Sequence, residues 1–339
     1  MRASCRRSGY NRNRTEQRSL TTLTETVGVD EANLATPSQI VLYDIMKPAL
    51  FSVLVALALT ACSHIGTPTE PAPLKLASWN MEHLAEGDRS GCRPRTEADY
   101  AAMRSYVASL DADVVAFQEV ESKAAAERVF DAAIYTVVIE DRVGAGRRSA
   151  CRGLEGLTIN AQRTGFAIRK GLQFERLADF TDVQLGDVDL RSGVDLIVRP
   201  RGGEPIRVLS VHLKSGCSSG DQNEACAVLM RQIPVMERWI DARAGEGVRF
   251  AVLGDFNRRL AMPNDVVWAD WDDGSSVNAD LALASGDQPA GCNPRYRDFI
   301  DFIVLDRRAT ADLRTFEEAT YDGDKLSDHC AIAATLSVR

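Results

Sequence analysis

The chain is short of positive charge: 40 Lys and Arg stand against 48 Asp and Glu, a net charge of −8 over 339 residues. Residues 1–61 hold seven basic and five acidic residues, so the remainder is more acidic still. That balance disfavours tight, non-specific binding of a polyanion through the overall field and leaves room only for a local basic groove. No Cys-x-x-Cys pair occurs among the eight cysteines, which disfavours a zinc site. No repeat of fixed period is present, which argues against a solenoid or propeller. Nothing after residue 73 reads as a second linker, so one domain is expected over 74–339. Histidine is scarce, with four in the chain: His64, His83, His212 and His329.

What is present at the N-terminus reads as targeting sequence rather than fold. Residues 1–45 are polar, without a sustained period of 2 or 3.6, and are expected to be disordered or to precede the true start. Met46 is the better start, followed by Lys47 and an apolar run from Pro48 to Ala58, about a dozen residues, which is too short for a bilayer span. The run closes on Leu59, Thr60, Ala61 and Cys62, which resembles the bacterial lipobox, so 46–61 is expected to be a signal peptide and Cys62 the lipidated first residue of the mature chain. Ser63 after the cysteine implies export to the outer membrane. Residues 62–73, with three prolines, read as a tether. Setting Cys5 and Cys62 aside leaves six cysteines, an even number suited to disulfides in an oxidising compartment. Of their possible pairings only Cys217 with Cys226 is favoured, because they enclose the polar stretch 218–224.

The remaining pattern alternates short apolar runs with amphipathic ones, as in an α/β protein. Strands are expected at 74–79, 114–117, 134–139, 164–168, 194–198, 206–213, 249–253, 299–305 and 331–336. Helices are expected at 97–110, introduced by Thr96 with Ala101, Tyr106 and Leu110 inward, at 122–131, and at 225–242. Polar residues recur where these strands stop: Asn80 after Trp79, Gln118 and Glu119 after Phe117, His212, Asp255 with Asn257, Asp301, and Asp328 with His329. Strand ends hold side chains rigidly yet leave them open to substrate.

Asn80, Gln118–Glu119, His212, Gly254–Asp255–Phe256–Asn257, Ile300–Asp301–Phe302 and Ser327–Asp328–His329 occur in the order and rough spacing of the endonuclease/exonuclease/phosphatase superfamily, which the chain resembles over nearly all of 74–337. The resemblance implies a four-layer α/β sandwich of two mixed sheets with helices outside, and metal-dependent hydrolysis of phosphoesters. Such chemistry needs charge neutralisation at phosphate oxygens, an activated water and a stabilised leaving oxygen. Glu119 is the expected direct ligand of Mg²⁺, or of Mn²⁺ or Ca²⁺, with Asn80 and Asp328 completing the site directly or through water. The resemblance further gives Asp255 the attacking water and Asn257 a hydrogen bond to phosphate. His329 and Asp301 then form an imidazole and its carboxylate partner, and His212 a second imidazole.

A carboxylate inside an apolar strand, as at Asp301, is expensive unless paired or working. Arg163 falls near a family arginine that contacts phosphate. His83 reads as a solvated loop residue able to touch substrate, and the Arg-rich loops 86–95 and 140–160 as a basic rim or as solvated surface. The expected partner is a phosphoester, nucleic acid being favoured, with the membrane met only through the lipid anchor and the protein a monomer. A sphingomyelinase or phospholipase, for which Trp268 and Trp271 are the only nearby apolar candidates, or a phosphomonoesterase of the same fold is the alternative. An inactive binding module of the same fold is the other.

Overall fold

A computed structural model describes residues 72–143, 148–276, 279–321 and 325–339. The expected leader, Cys62, His64 and nearly all of the tether lie outside these residues. Within them, twelve strands form two six-stranded sheets. The first sheet is built from β1 (Leu74–Leu84), β2 (Val114–Val120), β3 (Tyr135–Ile139), β4 (Arg163–Arg169), β11 (Leu313–Ala319) and β12 (Ala331–Leu336), in the order β11-β12-β1-β2-β4-β3. The second contains β5 (Gln173–Arg176), β6 (Val194–Arg199), β7 (Ile206–His212), β8 (Phe250–Asp255), β9 (Ala282–Leu283) and β10 (Asp301–Leu305), in the order β5-β6-β7-β8-β10-β9. Both sheets are mixed: β1 runs parallel to β2 and antiparallel to β12, and β7 parallel to β8, which is antiparallel to β10.

The period of two along each strand decides which face meets which layer. Leu74 and Leu76 of β1, with Val114 and Ala116 of β2, join the core shared with the second sheet, whereas Ala77, Trp79 and Met81 join a separate outer cluster. That cluster is closed by α1 (Glu97–Leu110), whose Tyr100, Met103, Val107 and Leu110 are buried. Only Leu110 of the three residues expected to face inward is fully buried; Ala101 and Tyr106 sit at the helix flank, because the i, i+3, i+7 stripe starts one residue earlier. The Asp99 carboxylate accepts from the backbone N–H and the hydroxyl of Thr96, fixing the helix start. On the other side, α3 (Glu224–Gly245) lays Leu229, Ile233, Met236 and Ile240 on the second sheet. The two sheets with helices outside make the four layers.

Some expectations needed correction. The helix expected over 122–131 is only α2 (Lys123–Glu127). The short strands β5 and β9 and the single-turn helices α4 (Val266–Trp271) and α5 (Arg307–Asp312) carry too few residues to show a period, and β11, an edge strand of seven residues, has no buried alternating face. Three disulfides join all six cysteines considered: Cys217–Cys226 as expected, plus Cys92–Cys151 and Cys292–Cys330. Cys92–Cys151 staples the two Arg-rich loops together. No helix among the described residues is long and apolar enough to cross a membrane.

Candidate active site

The inner alternation of the first sheet turns polar as β1 and β2 reach their C-terminal ends. After Leu74 and Leu76 come Ser78 and Asn80; after Val114 and Ala116 comes Gln118, and all three polar residues are fully buried. Facing them, the second sheet ends on three neighbouring strands with His212 beside Asp255 and Asp255 beside Asp301 in register. A polar end therefore caps an apolar inter-sheet core, and the two sheets are tied there by Asn80 Nδ2 donating to Asp255 Oδ2 at 2.9 Å.

Irregular backbone aims the remaining groups. The β1–β2 pairing slips between Asn80 and Leu84, and the β2–β4 pairing between Phe117 and Val120. Glu82, His83 and Glu119 take positive φ there, as does Asn257 after β8. Such conformations are strained for residues with a Cβ and persist where the surroundings impose them, often at functional sites. Gly254 explains the glycine before Asp255: at φ 152°, an added Cβ would lie 1.9 Å from the Val211 carbonyl oxygen. Arg95, buried, donates to the carbonyls of Met81, Glu82 and Leu326, clamping the end of β1 to the loop that carries Asp328. Ser327 Oγ donates to the Asn80 carbonyl and accepts from His329 N–H, so Ser327 sets the height of the imidazole.

Within this frame His329 Nδ1 lies 2.6 Å from Asp301 Oδ2. Burial alone would lower the His329 pKa, but the charge and hydrogen bond of Asp301 override it and hold it well above 6.5, so the imidazolium prevails at neutral pH. His212 is the opposite case. It is buried, with Nε2 3.5 Å from Asp255 Oδ2 and 3.9 Å from Glu119 Oε1. Burial first, and the Arg191 charge second, push its pKa well below 6.5, so it is a neutral imidazole. Asp255 is raised above the ordinary carboxylate range by burial and then by Asp301, against the N–H of Asn257 and the amide of Asn80 that lower it. One neutral and one protonated imidazole thus flank a carboxylate held ready to take a proton.

The expected residues are therefore brought together: Asn80, Glu119, His212, Asp255, Asn257, Asp301 and His329, with Asp328 at the rim, its Oδ1 3.7 Å from His329 Nε2. Asn257 Nδ2 donates to the Leu213 carbonyl, which orients its side chain toward β7. Arg163 starts β4 and donates to the Arg142 carbonyl at 2.7 Å, so its guanidinium is engaged on that loop. His83 is not a solvated loop residue: it belongs to the end of β1, half-buried, with Nε2 3.7 Å from Glu119 Oε2, which also accepts from the His83 N–H. Positive φ at residue 83 turns the chain back over Glu119, and no sequence pattern announces that.

Arg191 was not singled out by its sequence context, a short segment before β6 without a strand of its own. It donates to the Leu213 carbonyl, keeps a buried Nε with no protein partner, and its charge acts on Glu119, Asp255 and His212. It lines, with Arg142 and Lys214, a cleft of about 480 Å³ beside the site. In the stapled loops, Arg95 and Arg142 are buried and committed to backbone carbonyls, whereas Arg89, Arg148 and Arg152 are exposed.

The donor set fits a hard divalent cation. Five carboxylates, those of Glu82, Glu119, Asp255, Asp301 and Asp328, crowd the strand ends, and Glu82 is pushed up by burial and then by the Asp328 charge. Among the described residues, Asp255, Asp301 and His329 alone offer three His, Cys, Asp or Glu ligand atoms within 4.8 Å of one another. That trio is poorly suited to an ion, because His329 Nδ1 is committed to Asp301 and Asp255 Oδ2 already accepts from Asn80. Glu119 and the exposed Asp328 offer carboxylate oxygens, and Asn80, whose Oδ1 already accepts from Glu82 N–H, keeps one lone pair. Few carboxylates plus water is the coordination such ions prefer.

The sequence profile of the Endonuclease/Exonuclease/phosphatase family matches residues 77–329, from β1 to His329. No individual curated protein sequence matches the chain. Among solved structures, the catalytic domain of human Nocturnin with bound sulfate superposes with a TM-score of 0.56 at 18% identity, over 79% of this chain and 94% of that one. An endonuclease/exonuclease/phosphatase from Bacteroides vulgatus gives 0.55 at 15% identity, over 79% and 100%. Humanized D. rerio TDP2 gives 0.53 at 18%, over 78% and 98%. These likenesses show the fold, and the match across the catalytic strand ends shows the family. The chain belongs to the Endonuclease/Exonuclease/phosphatase family and is a metal-dependent phosphoesterase.

Proposed function

We propose that the protein is an extracytoplasmic phosphodiesterase acting on nucleic acid, held at the outer membrane by a lipid on Cys62. The observation that carries the catalytic reading is the buried Asp255 between a neutral His212 and the protonated His329–Asp301 pair, close enough to Arg191 for their charges to interact. Asp255 accepts the proton of the attacking water. His329, as imidazolium, donates from Nε2 toward the phosphoryl or leaving oxygen, with Asp301 holding the ring through Nδ1. His212 and Asn257 hydrogen-bond the phosphate, and Arg191 balances its charge. Glu119, Asp328 and Asn80 would hold the Mg²⁺ or similar ion, which would supply Lewis-acid polarisation and neutralise developing charge.

Full pairing of the six cysteines supports an oxidising compartment, which agrees with the leader reading. A lipid substrate is less well supported, because Trp271 is fully buried and Trp268 packs on the core, so neither forms an apolar hairpin for entering a bilayer. The test is hydrolysis of plasmid DNA, RNA, sphingomyelin and a simple phosphodiester with Mg²⁺, Mn²⁺ or Ca²⁺, beside chelator and His329→Ala. Nucleic acid cleavage lost in both controls is expected. Cleavage indifferent to either control would overturn the mechanism, and activity confined to sphingomyelin would overturn the substrate. Mass spectrometry of the exported protein should find Cys62 as a lipidated N-terminal residue; an unmodified Cys62 would remove the anchor.

A further inference from the structure

A second cavity, of about 430 Å³, opens on the far side of the catalytic pair from the Arg191 cleft, and His329 and Asp301 form its inner wall. Its other walls come from the Gly216–Ser218 turn, Arg259, and residues 290–300 with Ile332; the Cys292–Cys330 disulfide ties that segment to the residue after His329. Its volume lies within the range of small-ligand sites. We infer that this cavity is a subsite for the base of a terminal nucleoside, on the His329 side of the cleaved ester; the inference rests on the nucleolytic reading above.

Three observations fix the chemistry. With Asp328 given to the metal ion, three carboxylates, of Asp298, Asp301 and Glu318, line the cavity against two cations, Arg259 and His329, so it holds no spare positive charge for a further phosphate and takes an uncharged group. Tyr296, 57% exposed, presents the only large exposed aromatic ring at the cavity, and every base offers a face to stack on it. Asn293, Ser218 and Arg259 add donors and acceptors at the wall, suited to a base edge. A quaternary ammonium would use the carboxylates but has no acceptor for the amide or guanidinium, and one ring makes no cage around it. The Arg191 cleft sets three cations, Arg142, Arg191 and Lys214, against three carboxylates, Asp187, Asp189 and Glu224, so it lacks the acidic surplus of the other cavity and is the better side for the phosphate-bearing remainder of the chain. An ester straddling Asp255 and His329 would then have a nucleoside in the acidic cavity and its continuing backbone in the other cleft, which favours strand ends and short nucleotides over internal bonds.

The test compares kcat and KM for a dinucleoside phosphate, the same compound with an abasic sugar on the leaving side, and the same compound extended there by a phosphate. The wild-type protein should cleave the first about tenfold more efficiently than either other, mainly through KM. Tyr296→Ala should erase most of the advantage over the abasic compound, and Tyr296→Phe should keep it. Equal cleavage of the first two by wild type, or equal loss on both in Tyr296→Ala, would overturn the subsite and leave the nuclease reading standing. Preference for the phosphate-extended compound would also overturn it. Cleavage of none of the three, with sphingomyelin hydrolysed, would overturn both readings.

Discussion

Replacing Asp301 by Asn separates a working carboxylate from a merely structural one. Asp301 Oδ2 sits 2.6 Å from His329 Nδ1, and charges about 4 Å apart at an effective dielectric near 20 attract by about 4 kcal/mol, which favours the imidazolium. Without that support, the burial that lowers His329 is opposed only by the charges of Asp255 and Asp328, and the imidazolium is less favoured at neutral pH. The same change removes the like charge that raises Asp255 across the strand pair, so the base also moves down. Asp301→Asn should therefore lower kcat/KM at pH 7.5 about 10²–10³-fold. The whole pH–rate profile should move to lower pH, with part of the loss recovered toward pH 6. Stability should change little, because relief of the Asp255–Asp301 repulsion offsets the lost ion pair while the amide oxygen still accepts from Nδ1. The assay is kcat/KM from pH 5 to 9 on a phosphodiester with Mg²⁺, beside a thermal melt expected to shift by at most a few degrees. An unshifted profile with full activity would refute the pairing as a catalytic device. Loss of activity that follows unfolding alone would assign the pair to structure.

Other outcomes follow from the same geometry. His212→Asn should lower the plateau rate about 10²-fold yet leave the shape of the profile above pH 6, because the buried His212 is already neutral there; loss of a limb near pH 6–7 would contradict this. Removing Cys92–Cys151, which spans 59 residues, should lower stability by about 4 kcal/mol, and removing Cys217–Cys226, which spans 9, by about 2–3 kcal/mol, in urea melts of paired Cys→Ser variants. The reverse ranking would count against the chain-entropy account. Glu237, on α3, is pushed up to about 7 by burial and then by Asp241, Asp270 and Asp273. The folded state binds this proton more tightly than the unfolded one, so stability should fall as pH rises from about 4.5 to about 7. Glu237→Gln should recover about 1 kcal/mol at pH 8 after allowance for solvent screening, and equal melts at pH 5 and 8 for both proteins would refute it.

The strands were legible because their inner faces are continuous runs of Val, Leu, Ile and Ala that stop on polar residues. The same stops marked Asn80, His212, Asp255, Asp301 and His329, since a polar residue at the end of a buried strand leaves a signal in a single sequence. What escaped lacks such a signal. The slips in β1 and β2, which bring His83 over Glu119, depend on pairing between distant strands. Arg191 lies in a short irregular segment, and only the fold brings it to the Leu213 carbonyl and its charge near Glu119, Asp255 and His212. The inward face of α1 was misplaced by one residue, because Ala101 and Tyr106 mimic the stripe that Tyr100, Met103 and Val107 actually form. Two of the three disulfides join cysteines 59 and 38 residues apart, a separation that carries no local pattern.

The central claim is that Glu119, with Asp328 and Asn80, holds one divalent cation beside a separate proton-transfer group of Asp255, Asp301 and His329. Electron paramagnetic resonance titration of Mn²⁺ into wild type, Glu119→Gln and Asp301→Asn tests it most directly. One site is expected, weakened at least tenfold in Glu119→Gln and little changed in Asp301→Asn. Binding untouched by Glu119→Gln but abolished by Asp301→Asn would move the ion to the Asp255–Asp301–His329 trio and contradict the assignment.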